Sequence, residues 1–178
     1  MVGSLTWVPA VERPDLLAEP VAAVAGELPG ARVAEIDPEA ADTAVFSERY
    51  GVPLEASANC VIVAARRAGE VTHAACMVLA TGRADVNGVV RRRLGARKAS
   101  FAPMAEATSL TSMEYGGITP VGLPSGWPIL VDEAVAAASE VVVGSGVRRS
   151  KLLLPGKVVA ELPGAEVLAL ALPRGGTR

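Results

Sequence analysis

The chain has 178 residues, 51% of them hydrophobic and only 3% aromatic, with 17 basic and 19 acidic side chains for a net charge of −2. That length and apolar content predict one folded domain. The balanced charge argues against non-specific coating of nucleic acid, and so few aromatics argue against a sheet that stacks successive bases. No stretch approaches the roughly 18 uninterrupted apolar residues of a membrane span, and no basic leader precedes an apolar run, so a cytoplasmic protein is expected. Two cysteines (Cys60, Cys76) and one histidine (His73) fit none of the four-ligand zinc patterns, and no metal or cofactor is expected. Only three residues are lysines, Lys98, Lys151 and Lys157, so chemistry that needs a titratable amine has three candidates.

In chain order, residues 14–28 carry helix-spaced apolar positions, and Pro20 inside them forces a break or a second start, which predicts two short helical pieces. The turn Leu28-Pro29-Gly30 leads into a strand over 31–36. The string Glu-Leu-Pro-Gly-Ala recurs at 27–31 and 161–165. A duplicated unit would explain that, but a recurrent helix stop, Pro-Gly turn and strand start needs fewer assumptions. Asp37-Pro38 opens a helix to about Tyr50, closed by Gly51 and Pro53. Strands over 59–66 and 71–80 flank a hairpin loop at 67–70, which sets Cys60 opposite Met77 and His73 opposite Ala64. A helix over 85–94 ends in Arg91-Arg92-Arg93 and Gly95, complementing its dipole. A short helix over 105–110 follows, and 115–126, dense in glycine and proline, is a shaped loop. Short apolar strands at 128–131, 140–143, 152–154 and 166–170 complete an α+β layout, a curved mixed sheet with short helices packed outside.

Five segments then carry a resemblance: Tyr50-Gly51-Val52-Pro53, Asn59-Cys60-Val61-Ile62-Val63, Leu94-Gly95-Ala96-Arg97-Lys98, Gly116-Gly117-Ile118-Thr119-Pro120-Val121-Gly122, and Val143-Gly144-Ser145-Gly146. In content and order the chain resembles the YbaK / prolyl-tRNA-synthetase-associated domain family of aminoacyl-tRNA editing proteins. The likeness implies a partial barrel with helices around it, a family core at 40–170 and an N-terminal helical extension and strand at 1–38. The implied activity is hydrolysis of the ester on a mischarged tRNA by a freestanding domain with a small-amino-acid pocket. The implied partners are the acceptor end of an aminoacyl-tRNA and an aminoacyl-tRNA synthetase.

Ester hydrolysis needs oxyanion donors, a positioned nucleophile and a selective pocket. The resemblance gives the first task to the amides of Gly116 and Gly117, and substrate binding to Ile118, Thr119, Pro120, Gly122, Gly144, Ser145 and Gly146. A plain turn is the alternative for either glycine segment. The family's active members keep a lysine where this chain has Asn59, and many carry an acidic residue near the position of Lys151. An amine moved from 59 to 151 is therefore one reading, and a solvated Lys151 beside Arg148 and Arg149 is the other. A catalytically impaired module that binds the tRNA end or an aminoacyl-nucleotide is the alternative function, because Asn59 offers a neutral amide where the family has an ammonium. Cys60 has no base paired with it and reads as structural. Arg148 and Arg149, and the group Arg91 to Lys98, are candidates for contacts to tRNA phosphates.

Overall fold

The protein is described by a computed structural model over residues 2–174. In chain order its strands are β1 (Val8–Pro9), β2 (Arg32–Glu35), β3 (Ala58–Arg67), β4 (Glu70–Leu79), β5 (Gly82–Ala84), β6 (Lys98–Phe101), β7 (Ile129–Asp132), β8 (Val141–Gly144), β9 (Ser150–Leu154), β10 (Ala165–Leu168) and β11 (Ala171–Pro173). The helices are α1 (Glu19–Val24), α2 (Thr43–Tyr50), α3 (Arg91–Arg93), α4 (Met104–Thr111), α5 (Glu133–Ala137) and α6 (Gly156–Ala160). One sheet runs β1-β2-β9-β8, all antiparallel, and a mixed sheet runs β10-β7-β4-β3-β6, with β5 and β11 as a separate ribbon. The architecture is α+β, as expected. The two sheets touch through a bridge between Ser57 and Val142, which leaves an open, bent assembly rather than a closed barrel. No helix among the described residues is long and apolar enough to cross a membrane.

Alternation explains why β8 and β9 are buried on both faces. Val141, Val143, Leu152 and Leu154 enter the main core with Val21 of α1, while Val142 and Leu153 pack with Ile36, Phe46 and Val52 in a second cluster. Burying each such leucine contributes about 1.5–3 kcal/mol. This aliphatic layer fixes the backs of the strands whose edges and ends form the site described below.

The β3–β4 hairpin has the expected register, with Cys60 opposite Met77 and Ala64 opposite His73. Its loop is only Ala68 and Gly69, at φ 52° and 81°, so both strands run one residue further than the sequence suggested. Two left-handed residues match the twist of the flanking strands. Elsewhere local pattern gave too few elements. The expected 37–50 helix is two pieces, a 3₁₀ turn at Pro38–Ala40 and then α2, because Asp42 turns extended (φ −65°, ψ 135°) between them. The expected 85–94 helix starts as a π-turn over Val86–Val90, where Asp85 accepts from the amides of both Gly88 and Val89. Strands β5, β6 and β11 and helices α5 and α6 are too short to show a period of their own.

Pro20 lies in the first turn of α1, where a missing N–H costs nothing, so it starts that helix rather than interrupting one. The two Leu-Pro-Gly segments are equivalent turns, with Gly30 at φ 73° and Gly164 at φ 83°. Their strands differ in pairing, β2 antiparallel to β9 and β10 parallel to β7, so what recurs is a turn.

Candidate active site

β6 pairs with β3 only from Val63 to Arg66, and the last bond on that edge is Ala102 N–H to the Ile62 carbonyl. Cys60 has the same parity as Ile62, so its main chain points to the same edge, beyond the end of β6. Past that point a cavity of about 280 Å³ opens at the seam between the sheets. Ser57 to Val61 form one wall, Val142 to Gly144 of β8 and Lys151 of β9 a second, and Tyr115, Gly116 and Ile118 a third, with Asp42, Thr43 and Phe46 of the α2 region closing it.

Lys151 is the central charge. It is 8% exposed, and its Nζ donates to the Ala41 carbonyl at 2.9 Å and lies 5.3 Å from the centre of the Phe46 ring. The solvated alternative for this lysine therefore does not hold. Burial lowers its pKa to about 8, with Arg148 pushing the same way and Asp42 opposing. Asn59 lines the same cavity, and its Oδ1 accepts from Thr43 Oγ1 at 2.6 Å. Among the described residues its amide nitrogen makes no hydrogen bond, so that donor is uncommitted.

The glycine loops are built onto each other. Gly117 N–H donates to the Glu114 carbonyl at 3.0 Å, Gly146 N–H to the Gly117 carbonyl at 2.7 Å, and Glu114 N–H to the Gly146 carbonyl at 2.8 Å. A Cβ on Gly144 would lie 2.5 Å from the Gly117 carbonyl oxygen and 2.6 Å from that of Ile118, so only glycine lets β8 approach this loop so closely. Gly116, at φ 86°, faces the cavity, and among the described residues no acceptor takes its N–H or that of Ile118. Gly117 differs from the expected pair. Its N–H is committed, it does not line the cavity, and it packs against the main chain of Val147.

The other residues singled out from the sequence divide. Ser145 is buried and its hydroxyl reaches the Val147 and Ser150 carbonyls at 3.1 Å each, which closes the loop between β8 and β9. Thr119 is fully buried and lines neither hollow, and its hydroxyl has no partner among the described residues. Pro120 and Gly122 line a different feature, an apolar groove of about 690 Å³ walled by both Leu-Pro-Gly turns, Leu123 and Trp127. Arg148 donates to the carbonyls of Tyr115 (3.1 Å) and Pro38 (3.0 Å), tying the loop wall of the cavity to the 3₁₀ turn that precedes α2. Arg149 donates to the Asp15 carbonyl at 2.6 Å, away from the cavity. Burial raises the Cys60 thiol well above its ordinary value and pushes Cys76 up to about 12, so neither is a ready nucleophile. Their side chains also enter opposite clusters, Cys60 with Met77 and Cys76 with Val61.

Asp42, Thr43, Phe46 and Ser57 were not singled out from the sequence. An aspartate directly before an apolar-spaced run is an N-cap signal that would have marked Asp42, had Asp37-Pro38 not been read as the helix start.

The family model of the aminoacyl-tRNA editing domain matches residues 37–162, a span that contains every cavity residue. The chain belongs to the aminoacyl-tRNA editing domain family. Among solved structures, a crystal structure of a proposed trans-editing enzyme for prolyl-tRNA synthetase superposes with TM-score 0.69 at 22% identity, over 80% of this chain and 87% of that one. A hypothetical protein gives 0.71 at 22% identity, over 80% and 91%, and a scaffold used for grafting linear epitopes gives 0.72 at 22%, over 88% and 99%. At that identity the likeness speaks for the fold. No curated protein matches the chain.

Proposed function

We propose that the chain is a freestanding aminoacyl-tRNA deacylase, working in the cytoplasm beside a synthetase, that hydrolyses the ester of a tRNA charged with the wrong, small amino acid. The observation that carries this reading is the buried Lys151 ammonium, held by one carbonyl on the wall of a cavity shared with Asn59 and Gly116.

In this mechanism the ester carbonyl oxygen lies toward Gly116 N–H and Lys151. Attack by water forms a tetrahedral oxyanion, which these donors stabilise. Collapse breaks the bond to the ribose oxygen, which takes the proton given up by water, releasing amino acid and tRNA. Thr43 holds Asn59 Oδ1, which leaves the amide N–H pair to orient the water or the ribose hydroxyl. A cavity of about 280 Å³ suits a small acyl group. Tyr115, 58% exposed at the rim, offers the terminal adenine a ring face. Exposed Arg66, Arg92, Arg97 and Lys98 lie toward the far end of β3, about 23 Å from Asn59 by strand rise, within reach of acceptor-stem phosphates.

The test is deacylation of a panel of mischarged tRNAs by the wild type and by Lys151→Ala. Loss of about 10²–10³ in rate, the worth of one oxyanion donor, is expected. Unchanged turnover overturns the role of Lys151. A wild type that binds charged tRNA without hydrolysing it, and gains activity only as Asn59→Lys, favours the binding module, which the neutral amide at 59 supports.

A further inference from the structure

The cavity lining contains one carboxylate, Asp42, and its position is unusual. Four aspartates precede helical turns in this fold. Asp37 accepts from Glu39 N–H at 2.9 Å, Asp85 from Gly88 and Val89, and Asp132 from Ala134 at 3.1 Å, each satisfying helix-end donors with its side chain. Asp42, at the start of α2, makes no such bond. Its side chain is 67% exposed, and the nearest cation, Arg148 Nη1, lies at 3.7 Å, beyond hydrogen-bond reach. Arg148 meanwhile spends its hydrogen bonds on the Tyr115 and Pro38 carbonyls. The cap carboxylate thus makes no hydrogen bond to its own helix and stands, largely exposed, among the residues that line the hollow.

Resting on the editing reading above, we infer that Asp42 is the specificity residue that receives the free α-ammonium of the aminoacyl ester. An aminoacyl group carries one cation, one carbon from its carbonyl. With the carbonyl oxygen at Gly116 and Lys151, that ammonium sits close to the lysine charge and needs a compensating anion. Asp42 follows Ala41, whose carbonyl holds Lys151 Nζ, and its negative charge acts on that lysine from the same cavity lining, opposing the effect of burial. An acylated nitrogen has no charge for Asp42 to receive. The site therefore accepts free aminoacyl esters and refuses N-acylated ones, which protects chains growing on tRNA from hydrolysis.

The probes are 3′-alanylamino-3′-deoxyadenosine, whose amide resists hydrolysis, and its N-acetyl form, titrated calorimetrically into the wild type, Asp42→Asn and Asp42→Glu. The expected result is at least tenfold tighter binding of the free amine by the wild type. Asp42→Asn brings the ratio close to one without changing the N-acetyl affinity, and Asp42→Glu restores part of it. A free-amine preference that survives in Asp42→Asn overturns the assignment alone. Failure of the wild type to bind either probe overturns the editing reading, and the assignment with it.

Discussion

The cavity at the seam between the sheets encloses about 280 Å³, a buried ammonium and uncommitted amides, whereas the groove further along the same loop encloses about 690 Å³ lined by prolines, Leu123 and Trp127. Size alone would send a ligand to the groove. Chemistry sends it to the cavity, because a cation partly stripped of water, next to open donors, stabilises a developing negative charge far better than apolar surface does. The 115–126 loop walls both, with Tyr115, Gly116 and Ile118 in the first and Pro120 and Gly122 in the second. A glycine-rich segment read as one binding feature in fact has two faces with different duties.

The contrast breaks most sharply at Lys151. Lys151→Met is expected to lose about 10²–10³ in deacylation rate, read by single-turnover kinetics, while Glu161→Gln in the groove changes the rate less than twofold. If the ammonium can act from either side of the cavity, adding Asn59→Lys to Lys151→Met restores at least tenfold of the lost rate. Asn59→Lys alone sets two ammonium groups in one small cavity and lowers the wild-type rate about tenfold.

Next in size is the effect of pH. With Lys151 at about 8, the ammonium proposed to stabilise the oxyanion is present below that value, so the rate is expected to fall tenfold per unit as pH rises past it. The stability consequence has the opposite sense. The unfolded lysine titrates at 10.5, so between about 8 and 10.5 the unfolded chain binds more protons and the fold gains stability as pH rises. Keeping the charge buried costs about 3 kcal/mol at neutral pH. Lys151→Met removes that cost but orphans the Ala41 carbonyl, worth about 1–3 kcal/mol, so a variant more stable by about 1 kcal/mol is expected in urea titrations, with no rise in stability toward pH 10. The smallest effect belongs to the groove. Leu123→Ala costs about 1–2 kcal/mol of stability, since the side chain is only partly buried, and leaves the pH profile of deacylation unshifted.

These differences also show how far the sequence reached. The hairpin was legible to the register because strand alternation and a short polar turn are local facts, and the family landmarks bracketed the cavity through Asn59, Gly116, Gly144 and Lys151. What escaped depends on distant groups. Whether a glycine amide is free or spent is decided for Gly117 by the Glu114 carbonyl, and the depth of Lys151 is set by Phe46 and Ala41, which are remote in sequence. Arg148 and Arg149 read as surface cations because nothing local reveals that main-chain oxygens up to 134 positions away claim their guanidinium groups. Asp42 was hidden by a stronger helix-start signal five residues earlier.

The early stop of β6 has one more consequence, for self-association. An unpaired strand edge is a template on which another copy of a protein can lay down its own strand. Here the stretch of β3 beyond β6 faces the cavity walled by Asp42, Thr43 and Phe46 of the α2 region and by Tyr115, Gly116 and Ile118, so other parts of the chain stand along that edge. The elements that wall the cavity thereby also stand between that strand edge and a second copy of the chain.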